Sequence, residues 1–351
     1  MAIEIQENVL LSNYTTIGLG GKAKLFVSCV SADEINAALN FSKEKKLKVQ
    51  VISGGSNIIF PDEEFKGLVL KVDLKGIEIT EDNDFIFARV CAGENWDGFV
   101  ETIIEKGLSG IECLSGIPGS VGATPIQNVG AYGQEVKDTM VSLNAIDRHT
   151  LETVTFDNPE CEFEYRQSRF KTNDKDKYII TEVSFRFEKN KKPEIKYPEL
   201  QNYIESHFDK SPNDNLPEKL NQIRKSVLEL RKKKSMLIDK DDPNSKSCGS
   251  FFMNPVLNEI EFEKFSSRAT AYDFPFYQTG KNYKIPAAWL VEQTCFSKGY
   301  KKDGVGISEN HSLALINLTG TSMDLLRLAN EIEEKVLEKF GVKLDKEPVI
   351  V

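Results

Sequence analysis

Between residues 23 and 55 the spacing of apolar positions changes twice. AKLFVSCV (23–30) is a short apolar run and predicts a strand. SADEINAALNFSKEKKL (31–47) places Ile35, Ala38, Leu39 and Phe41 along one helical stripe, and Ser31 with Glu34 three residues on has capping-box spacing. VQVISGG (49–55) returns to an apolar run that ends in glycines, a strand entering a tight loop. The three together predict a βαβ-like unit.

From about Gly67 the pattern shortens into strands: LVLKV, IEITED and FIFARVCAG. A helix near 96–106 follows, then a Gly/Pro-rich stretch through Gly133. MVSLNAIDR, LETVTF and YIITEVSFRF predict further strands. The charged, proline-punctuated stretch 189–216 separates this block from a helix at about 217–234. A third segment runs to about Gly320, and TSMDLLRLANEIEEKVLEKFG predicts a strongly amphipathic helix before the apolar tail VKLDKEPVIV. No internal repeat stands out.

With 351 residues the chain exceeds the size of one ordinary core, so two or three domains are expected. Hydrophobic residues at 40% and charged residues at 28% suit a soluble globular protein. The net charge of −9 offers no basic face, so nucleic acid is not an expected partner. The N-terminus lacks a cationic segment followed by an apolar one, and no apolar stretch approaches a membrane span; neither a signal peptide nor a membrane location is expected. Six cysteines (29, 91, 113, 161, 248, 295) are scattered singly with no CxxC pair, which fits a reducing cytoplasm. Three histidines, 149, 207 and 311, show no HxxH spacing, so no metal site is expected. His311 reads as a polar residue at a pocket edge or a surface histidine.

Two glycine-rich stretches carry more chemistry. In VISGGSNIIF (51–60), Gly54, Gly55, Ser56 and Asn57 can aim backbone and side-chain donors at one anion, although a plain turn reads equally well. The pattern is neither a P-loop nor a Rossmann fingerprint. LSGIPGSVGATPIQNVGAYGQEV (114–136) has five glycines and no charge before Glu135, with Ser120, Thr124, Gln127, Asn128 and Tyr132 as donors. Uncharged, Gly-dense, donor-rich chain suits backbone wrapped closely around a large ligand with phosphates and a flat ring system. A glycine-rich core turn is the simpler alternative.

These loops, with SNYTTIGLGGKA near the N-terminus, resemble the FAD-binding half of the UDP-N-acetylenolpyruvoylglucosamine reductase family. The match runs from about residue 12 to the C-terminus, and the wider resemblance is to vanillyl-alcohol-oxidase/PCMH-type FAD domains. The resemblance implies an α+β fold of three domains, with FAD-binding subdomains at 1–70 and 71–230 and a substrate domain at 231–340. The tail 341–351 would pack back on the first. It implies noncovalent FAD, NADPH as hydride donor, and reduction of UDP-N-acetylglucosamine-enolpyruvate to UDP-N-acetylmuramate for peptidoglycan synthesis. Hydride goes to C3 of the enolpyruvyl ether, and the charge left at C2 must receive a proton.

Residue by residue, Ser250 in GSFFMNP matches the family's proton donor, and neighbouring Cys248 falls outside that position and reads as a loop cysteine. Arg166 in FEYRQSRFK matches the arginine that engages the substrate carboxylate; Arg169 reads as its decoy in an ion pair. Glu347 matches a glutamate across the site, although Lys346 stands where the family commonly has proline. FAD contacts carry over to Gly54, Gly55, Ser56, Asn57, Pro118, Gly119, Gly122, Ala123, Thr124, Gln127, Gly130, Ala131, Tyr132, Ile180 and Arg231. Substrate contacts carry over to Tyr197, Lys234, Asn254 and Lys284, and to Tyr277, with Phe276 as its competitor. Two other classes stay open: an FAD oxidase of the same superfamily, and a nucleotide-sugar or phosphate-binding protein without catalysis. A cytoplasmic monomer acting on small molecules is the default.

Overall fold

The structure, a computed structural model, describes residues 3–208 and 215–351. Their contacts gather into two compact units. The first is Met1–Val9, Ala23–Gly54 and Lys66–Lys233; the second is Leu10–Lys22, Gly55–Phe65 and Lys234–Val351. Segments 10–22 and 55–65 thus fold with the C-terminal part rather than with their sequence neighbours.

The first unit holds two larger sheets and a two-stranded pairing of Gly130–Ala131 with Gln134–Glu135. Strands Gln6–Leu10, Lys22–Cys29, Phe65–Val72 and Val49–Ile52 lie side by side in that order, the last two parallel. Helix Ala32–Glu44 connects Lys22–Cys29 to Val49–Ile52, as its stripe predicts, and buries Ile35, Ala38 and Leu39. Its Ser31 cap accepts from the Glu34 amide, but the Glu34 carboxylate reaches back one residue further, to the Val30 amide. The second sheet is antiparallel, in the order Thr153–Asp157, Met140–Asp147, Tyr178–Glu188, Phe85–Cys91, Ile77–Glu81. Helix Trp96–Glu105 packs on it through Trp96, Phe99 and Phe185, with Phe99 and Phe185 ring centres 5.0 Å apart. Each such side chain, fully enclosed, contributes roughly 1.5–3 kcal/mol of transfer free energy.

The stretch 189–216, expected as a separator, contains helix Pro198–His207. Pro198 begins that helix rather than breaking it, because a first-turn residue has no intrahelical N–H bond to lose. Residues 209–214 of that stretch lie outside the described residues. Helix Leu216–Lys233 follows and buries Leu220, Ile223, Val227 and Leu230.

The second unit is built on helix Ser322–Phe340. Thr321 and Asp324 form its capping box, and Gly341, at φ +70°, ends it. Its buried face, ending in Phe340, packs in a core with Phe265, Trp289 and Leu315. A four-stranded sheet runs in the order Ser247–Ser250, Ala314–Asn317, Val305–Ile307, Lys301–Lys302. A smaller sheet joins Val256–Leu257, Asn282–Lys284 and Tyr277–Thr279. The C-terminal strand Val349–Ile350 runs parallel to Ile58–Ile59. Among the described residues no helix is long and apolar enough to cross a membrane.

Candidate active site

In the first unit, helix Trp96–Glu105 holds the back of the long glycine loop. Trp96 Nε1 donates to the Leu114 carbonyl (3.1 Å), the Trp96 amide to Gly119 O, and the Val121 and Gly122 amides to Glu94 O and Ala92 O. Gly122 is needed there, since a Cβ would lie 2.4 Å from that of Ala92. The Gly116 peptide is gripped at both ends. Its N–H donates to Asp97 Oδ1 (2.5 Å), and its carbonyl accepts from Arg231 Nε (3.2 Å). Asp97 in turn takes both guanidinium arms of Arg224, at 2.6 and 2.9 Å. Burial alone would raise the Asp97 carboxyl, but Arg224 and the Gly116 amide outweigh it and hold the group below its ordinary value. Burial lowers Arg231, opposed by Tyr132 and Asp97.

Beyond this clamp the loop stays half-accessible at Gly116 to Gly119, Ala123, Gln127 and Gly130 to Tyr132. Gly116 and Gly119 adopt φ of +72° and +124°. Gly54 touches the loop directly: a Cβ on it would sit 2.6 Å from Gly119 Cα. Thr124 turns its hydroxyl back to Val121 O, and Ile180 is buried in its strand opposite Ala145. Tyr132 is edge-on to Tyr197 at 5.4 Å, and burial pushes its hydroxyl up to about 12. Arg166 sits at φ +54° and donates from Nη2 to Gly130 O (2.5 Å). Arg169 is ion-paired with Asp174 (2.6 Å) and lies over the Phe156 ring, the fate expected of the decoy.

In the second unit, four separate segments meet. Thr16 donates its amide to Gly55 O and its hydroxyl to Ser247 O (2.7 Å). Gly55, φ +63°, passes so close to Tyr14 that a Cβ would overlap its carbonyl. Asn57 joins the tail: its Nδ2 donates to Glu347 O (3.4 Å) and its carbonyl accepts the Val349 amide. The Glu347 amide donates to Phe251 O, and Met253 N to Asp345 O. Lys346, opposite Phe252, sends its ammonium to Glu333 (2.8 Å) on the long helix.

Ser250 ends its strand opposite Ala314, after an irregularity at Gly249. Gly249 has φ +72°, which favours glycine, and nothing lies within 4 Å of where a Cβ would be. Among the described residues the Ser250 hydroxyl has no hydrogen-bond partner, and the residue is half-buried. Cys248 is not a loop cysteine: it sits in the strand, buried, with its thiol pushed up to about 12 by burial. Phe251 and Phe252 are enclosed, edge to face, in the unit's core.

Of the other predicted positions, Tyr277 and Lys284 are direct cross-strand partners, with Val256 completing the row. Tyr277 and Phe276 are both exposed, and Phe276 in addition packs with Phe262 at 5.1 Å and Phe274 at 6.1 Å. Asn254 Oδ1 accepts the first amide of helix Ala287–Glu292 (2.8 Å). Lys234 directly follows helix Leu216–Lys233. His311 Nδ1 accepts the Leu313 amide.

Comparison with known proteins matches residues 241–351 to the family model for the C-terminal domain of UDP-N-acetylenolpyruvoylglucosamine reductase, and 23–155 to that of an FAD binding domain. A UDP-N-acetylenolpyruvoylglucosamine reductase of Thermobifida fusca is 42% identical across 100% of this chain and 99% of its own length. This chain belongs to the UDP-N-acetylenolpyruvoylglucosamine reductase family. Another such reductase, from Salinispora arenicola, is 40% identical over 97% of this chain and 94% of its own. The crystal structure of the Thermus caldophilus reductase aligns with a TM-score of 0.65 at 22% identity, covering 100% of this chain and 99% of that one, and so shares its α+β fold.

The residues present in this family member fit FAD. Two glycine loops meeting backbone to backbone at Gly54 and Gly119 present peptide rather than side chain, the kind of surface a diphosphate needs. Asp97 and Arg224, which organise the loop, had no predicted role; Asn128 was expected as a donor to the ligand, whereas its side chain bonds Glu135, Glu164 and Lys137. Asp97 in the first turn of a capped helix was the available signal, but its partners lie 19 and 127 residues away.

Proposed function

We propose that this chain is a cytoplasmic, monomeric flavoenzyme that reduces the enolpyruvyl group of UDP-N-acetylglucosamine-enolpyruvate to UDP-N-acetylmuramate, using NADPH, in peptidoglycan precursor synthesis. The observation that carries the assignment of chemistry is the Ser250 hydroxyl. Among the described residues it makes no hydrogen bond, and it lies next to open space at Gly249, while its rival Cys248 is buried and a weaker acid than an ordinary thiol.

FAD, when bound, supplies the hydride chemistry, and the proposed residues to hold it are Gly54, Gly55, Ser56, Asn57, Pro118, Gly119, Gly122, Ala123, Thr124, Gln127, Gly130, Ala131, Tyr132, Ile180 and Arg231. Reduction adds a hydrogen at each enolpyruvyl carbon, and Ser250 donates the proton at C2. Arg166 takes the substrate carboxylate with its planar fork, which suits enolate charge better than a point-charge lysine. Glu347, held by its backbone next to Phe251, faces the same chemistry from the tail and supports proton relay. Lys234 and Lys284 meet the diphosphate, and Tyr197, Asn254 and Tyr277 complete substrate contact.

The functional division proposed is FAD binding by 1–70 and 71–230, sugar-nucleotide binding by 231–340, and the tail 341–351 returning. The contact units cut across it because segments 10–22 and 55–65 fold with the strand that carries Ser250. The test is NADPH consumption by purified yellow protein, with and without the enolpyruvyl substrate. Consumption that ignores the substrate, or protein unable to take up FAD, overturns the reading.

A further inference from the structure

Resting on that reading of Arg166, we propose that Asn128 is a positioning residue, one that mounts the carboxylate-binding arginine on the cofactor loop. Asn128 is fully enclosed and adopts φ +44°, a conformation Asn tolerates. Its side chain is fully engaged. Oδ1 accepts the Lys137 amide (3.2 Å), and Nδ2 donates to Glu135 Oε2 and to the Glu164 carbonyl, each at 3.1 Å. An amide N–H on one side and two acceptors on the other fix which end of the carboxamide points where.

The Glu164 contact is the one that matters for chemistry. Glu164 and Gln167 bridge a tight turn with Arg166 inside it at φ +54°. That turn meets alternate residues of the loop in three places: Ser168 Oγ donates to Ile126 O (2.7 Å), Asn128 donates to Glu164 O, and Arg166 donates to Gly130 O. A Cβ on Gly130 would come within 2.9 Å of Arg166 Nη1, so the arginine also lies against loop backbone. The middle contact is a buried side chain with no other freedom. Loop order and guanidinium placement are therefore one mechanical unit, and whatever orders residues 126–130 orders Arg166. By linkage, flavin binding and carboxylate binding should reinforce each other.

The experiment titrates oxidised holoenzyme with UDP-N-acetylmuramate, which carries the carboxylate, and with UDP-N-acetylglucosamine, which lacks it, reading the perturbation of flavin absorbance. The variant is Asn128→Gly, which removes the side chain but keeps the left-handed backbone unstrained. The expected result, read on protein saturated with added FAD, is affinity for the carboxylate ligand weakened about tenfold and UDP-N-acetylglucosamine unchanged. In an Arg166→Ala background the same substitution should add nothing. Equal loss for both ligands, no loss for either, or additive effects with Arg166→Ala would overturn the proposal. If Asn128→Gly yields no folded flavoprotein, Ser168→Ala must show the same selectivity more weakly, and its absence overturns the proposal equally. Wild-type protein that binds neither nucleotide sinks the functional reading and this inference together. Wild-type discrimination with an unselective variant sinks the inference alone.

Discussion

The glycine loop of the first unit and the Ser250 strand of the second treat their polar groups in opposite ways. In the loop, the Gly116 peptide is bonded at both ends, the Thr124 hydroxyl turns to its own backbone, and the enclosed Asn128 side chain makes three bonds. At the strand's end the Phe251 backbone is pinned by Leu313 and Glu347, yet among the described residues the Ser250 hydroxyl has no hydrogen-bond partner. A cofactor cradle needs fixed shape, and these bonds supply it, although among the described residues the buried Ser120 hydroxyl of the same loop makes none. A proton donor needs a group whose bond is made only to the reacting molecule, because a hydroxyl committed in the ground state would have to be released first. Rigid backbone with an uncommitted side chain meets both demands.

The largest test of that contrast is Ser250→Ala. Flavin reduction by NADPH should stay near normal, while reoxidation by the enolpyruvyl substrate slows by roughly 10²–10⁴-fold. Stopped-flow measurement of the two half-reactions separates them, and an unchanged second half-reaction removes Ser250 as the acid. Next in size is Arg166→Lys, which keeps the charge and loses the fork. A fall of about 10²-fold in kcat/KM is expected, with flavin content unaffected. A lysine variant that matches wild type would show that simple charge, not bidentate geometry, serves the carboxylate.

The loop side is challenged by Asp97→Ala, which strands the Gly116 amide and leaves the Arg224 guanidinium only its longer contact to Glu101 (3.4 Å). The Asp97 side chain is 32% exposed, so solvent softens the loss to ~2 kcal/mol rather than the larger cost of a wholly buried pair. Calorimetry of apoprotein and flavin titration should both register it; flavin affinity intact beside lost stability would break the link between clamp and cradle. Acid offers the same test without mutation. The folded-state carboxyl of Asp97 lies below its ordinary 3.8, so the folded protein holds that proton less readily than the unfolded chain. Its stabilisation is complete above the ordinary value and is lost as pH falls through the lower one. Asp97→Asn should flatten the low-pH end of the stability profile, and an unchanged profile would assign that acid sensitivity elsewhere.

How much of this the sequence announces depends on distance along the chain. Helix Ala32–Glu44, strand Lys22–Cys29 and helix Ser322–Phe340 were legible because cap, stripe and length agree locally. Helix Pro198–His207 was hidden by charge and prolines, and only Leu200 is buried in it. The two glycine loops were visible as composition; that Gly54 and Gly119 touch was not. The standing of Glu347 is the sharpest case. A glutamate in a charged tail looks solvated, and what places it is pairing with Phe251 and Asn57, 96 and 290 residues away in sequence. No periodicity encodes such pairs. Neighbouring Cys248 read as a loop residue, and its burial within the strand was likewise not encoded in the local pattern.

The smallest expected effect therefore falls on Cys248→Ala. The thiol is enclosed and donates only weakly to Ile58 O at 3.9 Å, so the substitution removes a little packing, about 1 kcal/mol, and no chemistry. Both half-reactions should keep wild-type rates, and a thiol-directed reagent should leave native enzyme active while it labels exposed Cys295. A Cys248→Ala variant with the second half-reaction slowed as far as in Ser250→Ala would reverse the contrast. The strand's reactive group would then be a buried thiol released by motion, and the free hydroxyl beside it a bystander.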